Sequence, residues 1–428
     1  MKSILQNNNY WLYIEPYVHI TLKNNNILFY NTLNGESIKY FNKPIVAELV
    51  KRLISKRNQW VLKIDGEMLS IPVIQLFISE IKNKFIGDVI PVDWSDKKPF
   101  VFVPYPIVNR KLGKQLKLTG QKSTLEYGKY LNELTLYLNN VPNQVFSDYS
   151  ELYKQTTGYY SNSSLLKQLD FMLIESIIEK NKYSYLQKIN LAGGDILQHP
   201  EINNIIGLLN NLNYFISYFL PYSVINIENI NILNNVNQKN SVLKILFPSG
   251  ITSNIVANTI ALLKESKATQ YFTFIIEEES KLAEIEKIIE QNKIEKYQII
   301  PYFNGLNIDF FKEMVYLEEQ TLLDLKQNQK KIFANISLNQ LNFGRLTILS
   351  NGDVYGNVNF PKLGNIKKQE LMDCIFNEVS NSKSWLLTRN KVKPCKNCIY
   401  QDLCPPISDY EFIINQHNLC NVTSMQYQ

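Results

Sequence analysis

Cysteine is missing from almost the whole chain: none precedes Cys374 in 428 residues, and four of the five lie within the last 34. Nothing upstream of Cys374 can supply a thiolate. Histidine is nearly as scarce, with only His19, His199 and His417. His19 and His199 have no ligand-type partners nearby in sequence, and no Ser/His/Asp set or Walker-type loop appears. No apolar run approaches the roughly 20 residues of a membrane span. The opening MKSILQNNNYW is too poor in apolar residues for a secretory signal, so the expected location is cytoplasmic, away from membranes. Charge of one sign is lacking too: 45 basic residues against 39 acidic give +6, spread along the chain. Without a dense Lys/Arg block, nucleic acid is not expected as a partner.

What is present divides into regions, and 45% hydrophobic content suffices for two or three cores. Residues 1–95 read as a small unit of their own. YWLYIEPYVHITL and ILFYNT (27–32) are strand-like, and Asn34-Gly35 makes a hairpin turn before ESIKYF. Pro44 opens a helix PIVAELVKRLI, and a second helix is predicted over roughly 71–82. Residues 96–130 contain the basic stretch NRKLGKQLKLTGQK and read as a linker. Over 131–335, strands LTLYLN, KINLA, YFISYF, VLKILF, YFTFII and YQIIPY alternate with helices such as SLLKQLDFMLIESIIEK (164–180), which implies parallel βαβ units. Periodicity leaves a doubly wound sheet and an incomplete barrel both open. Residues 336–428 hold a hairpin with its turn at Asn351-Gly352, a helix near 368–378 and a cysteine-rich tail.

The tail reads KPCKNCIYQDLCPPISDYEFIINQHNLC. In a reducing compartment, cysteines so clustered bind metals or catalyse more often than they form disulfides. A CxxC turn aims two thiolates at one centre, and Cys404 and Cys420 follow Cys395 and Cys398. Four thiolates suit Zn²⁺ or an iron–sulfur cluster, and the spacing does not choose between them. Cys374 stands apart as an ordinary buried thiol, and His417 reads as a packed or solvated ring. Gly193-Gly194-Asp195, between a strand and a helix, would suit a nucleotide-like ligand or simply a tight turn.

From about 133 to 428 the order of parts resembles the radical S-adenosylmethionine (SAM) peptide maturases that end in a SPASM domain. By that resemblance Cys395, Cys398, Cys404 and Cys420 hold an auxiliary 4Fe–4S cluster. In NGDVYGNVNFPKLGNI the family's ligand to a first auxiliary cluster is replaced by Asn357, which implies that this cluster is absent. NLAGGDILQHP is similar to the family's Gly-Gly-Glu motif for SAM, with Asp195 for the acid. The family's C-x3-C-x2-C frame falls on LTLYLNNVPNQVFSDYS, with Pro142, Phe146 and Tyr149 at the cysteine places. None of these can hold iron, so radical SAM activity is excluded and SAM binding is not expected. WLYIEPYVHI, LFYNTLNG and CPPISDYE resemble a pseudo-radical-SAM/SPASM group of Bacteroidetes GG-type peptide maturation systems.

The resulting expectation is an α/β chain: a winged-helix-like precursor-recognition unit, a degenerate partial (β/α)6 barrel and a SPASM-like metal-binding domain. The resemblance implies a non-radical accessory protein that binds a leader peptide by strand addition near 36–40 and the helix 44–54, with a true radical SAM maturase as a further expected partner on its barrel. Two alternatives stay open: an enzyme of altered chemistry with a ligand at Gly193, Gly194 and Asp195, or a zinc-stabilised peptide-binding module.

Overall fold

A computed structural model describes residues 9–93, 95–101, 130–161, 165–182, 184–381 and 384–422. The expected linker lies almost wholly outside these residues. Among the described residues no helix is long and apolar enough to cross a membrane.

The aromatic and β-branched residues near the start form β1 (Asn9–Ile14), β2 (Val18–Lys23), β3 (Asn26–Asn31) and β4 (Ser37–Tyr40). YWLYIEPYVHITL is thus two strands. Pro16 cannot donate to a ladder, and Val18 N donates to Glu15 O at 3.0 Å across the break. The two strands then enter different sheets: β2-β3-β4, and β5-β1-β6 with β5 (Val61–Asp65) and β6 (Gly87–Pro91). The short β5 and β6 carry too weak an apolar pattern to be read locally. Helices α1 (Pro44–Leu53), α2 (Gly66–Ser70) and α3 (Pro72–Asn83) complete the unit, with Pro opening both α1 and α3. Leu12, Phe29, Ile38, Leu49 and Phe77 belong to its core.

This unit is packed onto the C-terminal tail. Successive residues of β3 face opposite ways, so while Phe29 points into the unit's own core, Leu28 and Tyr30 form a second core with Leu322, Ile332, Ile399, Tyr400 and Leu403. Gln327 N donates to Tyr30 Oη at 2.8 Å, and His19 Nε2 lies 3.1 Å from Asp402 Oδ2.

The main sheet contains β7 (Glu133–Tyr137), β8 (Lys188–Ala192), β9 (Phe215–Pro221), β10 (Ser241–Phe247), β11 (Thr269–Ile276) and β12 (Tyr297–Pro301). All six are parallel and lie side by side in sequence order. A doubly wound sheet would reverse its order part-way. The strand order is that of an open barrel. Crossover helices are α4 (Phe171–Lys180), α5 (Ile202–Asn210), α6 (Ile227–Leu233), α7 (Ser253–Leu263) and α8 (Ser280–Gln291). α4 begins later than the expected 164. On the outer side of β7, β13 (Arg345–Ile348) pairs in parallel and turns through Gly352 into β14 (Asp353–Tyr355) and β15 (Gly364–Asn365).

Strand alternation sorts the two faces. Leu134, Leu136, Ile189, Leu191, Ile216 and Ile245 pack on the helices. Glu133, Thr135 and Tyr137 point the other way, in register with Lys188 and Asn190 on β8 and with Arg345 and Thr347 on β13. That polar face lines the interior.

Candidate functional site

In the tail, Cys395 opens a short 3-10 turn (Cys395–Asn397), and Cys404 N donates back to Tyr400 O at 3.0 Å. A parallel bridge to Leu317 brings up Cys420 from the chain's far end. All four predicted cysteines, with Arg389, line one cavity of about 20 Å³, and all are free thiols. Burial pushes the Cys395, Cys404 and Cys420 thiols up from their ordinary range, while the nearby Arg389 charge pulls the other way. Arg389 is buried and holds Glu411 with Nη1 and Nη2, and Nη1 also donates towards Cys395 Sγ at 3.6 Å. Tyr400 N donates to Cys398 Sγ at 3.4 Å. The donor set therefore fits a thiolate-ligated group: four sulfurs, a fixed cation and N–H donors around one enclosed space. Among the described residues, however, no three His, Cys, Asp or Glu side chains are grouped so as to hold one metal ion.

The histidines play other parts. The His417 carbonyl, rather than its ring, accepts from Cys395 Sγ and Arg389 Nη1. His199 accepts from Glu201 N at Nδ1, and its Nε2 lies 2.7 Å from Leu169 O in a packed site. Cys374 is buried beside Gln369, away from the other four cysteines.

Gly193-Gly194-Asp195 sits where β8 ends. A Cβ on Gly194 would lie 1.7 Å from Val141 O, so only glycine allows this backbone to cross the loop after β7. The Asp195 carboxylate accepts from Leu197 N at 3.0 Å and Gln198 Nε2 at 2.9 Å, capping a 3-10 turn. Burial raises its pKa. Its hydrogen-bonding capacity is directed inward.

At the carboxyl ends of the strands the interior is filled. Phe146 and Tyr149, two of the three residues in the cysteine frame, are buried with Leu152, Tyr159, Leu246, Ile275 and Tyr302. The rings of Phe146 and Tyr159 are 5.3 Å apart and those of Tyr149 and Tyr302 4.9 Å. Tyr149 Oη donates to Glu277 and accepts from Ser249 N, so its polar end is satisfied.

A larger cavity, about 310 Å³, opens between the polar face and the tail. Asn357 stands on its wall, where the family pattern would have a cysteine. Its Nδ2 donates to Asp409 Oδ1 at 2.5 Å and Asn342 Oδ1 at 3.0 Å. Burial raises the Asp409 pKa to about 6, against the opposing effects of the Asn357 bond and the Arg345 charge. Glu133, on the same cavity, stays low because Arg345 and Lys188 outweigh its burial. Sequence reading passed over Asp409, Glu133 and Arg345, since nothing local marks them. Only their convergence does.

No protein-family model matches this chain, and no curated protein does. Among solved structures it is similar to SuiB from Streptococcus suis. The structure of SuiB bound to precursor peptide SuiA superposes with a TM-score of 0.51 at 12% identity, over 97% of this chain and 100% of SuiB. SuiB bound to S-adenosylmethionine gives 0.49 at 12%, over 97% and 100%, and a further SuiB structure 0.47 at 13%, over 96% and 99%. The likeness to the precursor-bound form shows a shared fold along nearly the whole chain.

The free edge expected near 36–40 is β4, the outer strand of its sheet among the described residues. Side chains at the C-terminal end of α3 reach it: Tyr40 hydrogen-bonds Glu80, and Lys84 Nζ donates to Ser37 O at 2.7 Å, while α1 shares its core. Helical geometry puts Leu76, exposed, on the same stripe as Glu80 and Lys84.

Proposed function

We propose that this chain is a non-radical accessory protein in the maturation of a ribosomally made peptide, a pseudo-radical-SAM/SPASM protein of the Bacteroidetes GG type. It binds the precursor's leader through its N-terminal unit and docks a true radical SAM maturase on its barrel. Cys395, Cys398, Cys404 and Cys420 hold one 4Fe–4S cluster.

One observation carries the reading: a maturase-like fold whose cluster position is packed with rings. SuiB, similar in fold, is known in a structure with its precursor peptide. In this chain no thiol precedes Cys374, and Phe146 and Tyr149 occupy the core where the cysteine frame falls. Asp195 spends its carboxylate on its own turn. These features speak against SAM binding at the strand ends. The edge of β4 beside the α3 stripe supports strand addition by a leader, with Leu76 offering an apolar contact.

In the tail, a bound cluster would supply one-electron chemistry. The protein's share is structural and electrostatic. The thiols give up protons, Arg389 donates towards Cys395 Sγ and offsets thiolate charge, and Glu411 holds Arg389 in place. A single Zn²⁺ would need all four sulfurs roughly 2.3 Å from one point. The cluster reading rests on the resemblance of the tail's cysteine spacing, and metal analysis separates it from zinc.

The test is iron, sulfide and zinc analysis with an optical spectrum on protein purified without oxygen, and calorimetry with SAM. About four irons per chain are expected, with no SAM binding. Stoichiometric zinc, or release of 5′-deoxyadenosine from SAM, would defeat the proposal.

A further inference from the structure

The 310 Å³ cavity is unaccounted for by the tail or the leader groove. Its size places it at the lower end of small-ligand sites, which run from roughly 300 Å³ upward. Its charges are uneven. Glu133 is compensated by Lys188 at 3.0 Å and Arg345 at 3.3 Å, and Arg345 is thereby occupied. Asp409 receives the neutral amides of Asn357 and Asn359 and feels the Arg345 charge through space, and among the described residues it forms no ion pair. Three aromatic rings, Tyr137, Tyr153 and Tyr410, stand on the same wall system. Their faces are electron-rich and attract cations.

We propose that this cavity binds a small ligand through a cationic group, an ammonium or guanidinium, held by the Asp409 carboxylate among the rings of Tyr137, Tyr153 and Tyr410. An anion is disfavoured there, because the Asp409 carboxylate repels it while Arg345 is engaged by Glu133. Burial of Asp409 outweighs its amide bonds and the Arg345 charge, and a bound cation would relieve the remaining cost. The inference does not depend on the tail's metal or on the leader groove.

The experiment uses the full chain and two probes of nearly equal shape with their α-amines acetylated: Nα-acetyl argininamide, which is cationic, and Nα-acetyl citrullinamide, which is neutral. Titration is followed by calorimetry and by ligand-observed NMR, with metal content measured on the same samples. The cationic probe is expected to bind at least about tenfold tighter than the neutral one, the factor of a single charge-assisted bond of about 1.4 kcal/mol. Asp409→Asn should erase that preference, and Tyr153→Leu, which keeps the carboxylate, should weaken the cationic probe a few-fold. Equal affinity for the two probes, no binding of either at millimolar concentration, or a folded Asp409→Asn chain that keeps the preference would each overturn the proposal. If Asp409→Asn does not fold, the probe comparison and Tyr153→Leu decide. Because metal content is read in parallel, a negative result here is separable from failure of the accessory-protein reading.

Discussion

Arg389 and Glu411 face each other as a buried two-pronged pair, Nη1 to Oε1 at 2.8 Å and Nη2 to Oε2 at 3.1 Å. The same guanidinium donates to Pro405 O at 2.6 Å and His417 O at 3.2 Å. One side chain thus ties together the three loops that bring the cysteines into one place. Arg389→Gln leaves the Glu411 charge buried without its partner and should cost about 3–5 kcal/mol. Arg389→Lys should not rescue it, because an ammonium cannot make the planar fork. Urea denaturation of the metal-free chain checks this, and an unchanged midpoint in Arg389→Gln would remove the pair from the account.

The four tail cysteines should differ sharply from the fifth. Cys398→Ser and Cys404→Ser should lose most of the bound iron, whereas Cys374→Ser, in a separate buried position, should keep it. Metal analysis of the three variants side by side is the measurement. Equal loss in all three would mean a general folding defect.

Asp409 makes stability depend on pH in a definite direction. Its pKa is raised from 3.8 unfolded to about 6 folded, so the protonated form favours the fold. That stability is fully present below the unfolded value and is lost as pH rises through the folded one. The groups facing it are Arg345, Asn357, Asn359, Tyr137 and Tyr410. Relative to Asp409→Asn, the wild type should lose about 3 kcal/mol between about pH 4 and pH 7. Denaturation midpoints of both chains across that interval test it, and a flat difference would show that Asp409 is better solvated than its surroundings imply.

The N-terminal unit and the tail share a core, so disturbing one should register in the other. Leu28→Ala opens a cavity against Ile399, Tyr400 and Leu403 and should cost about 2–5 kcal/mol. Hydrogen exchange should then rise at the backbone of 398–404 as well as in β3. Confinement of the change to β3 would show that the two units are energetically independent.

Gly194→Ala should be far worse than the same change at Gly207. The first meets Val141 O at 1.7 Å, while the second meets nothing within 4 Å. Thermal melting should show a large loss for Gly194→Ala, at or above the roughly 1–3 kcal/mol of ordinary overpacking. The cost at Gly207→Ala should be near zero or reversed, since alanine favours a helix.

Much of the chain was legible because its information is local. The apolar runs of β8, β10 and β12 mark strands wherever they sit, Asn351-Gly352 marks its hairpin, and Pro44 marks a helix start. The four tail cysteines could be singled out by spacing alone. One feature was misread for an equally local reason: WLYIEPYVHI looks continuous until Pro16 is placed between two sheets. The reach of α3 to β4, through Glu80 and Lys84, carries no local mark.

By itself, then, the sequence determined which segments are strands and helices, where thiolates can and cannot arise, and that no cysteine cluster exists upstream of Cys374. Those properties depend on residue type and short-range periodicity. The tertiary structure decided the order of the six parallel strands, the filling of their ends by Phe146, Tyr149 and Tyr302, and the seating of β3 on the tail. It also brought Glu133, Arg345 and Asp409 to one cavity. The same alternating pattern serves a doubly wound sheet or an open barrel, and a tyrosine or aspartate carries no local sign of what it will face. Such choices rest on packing between residues hundreds of positions apart, and they become definite only when the cores close.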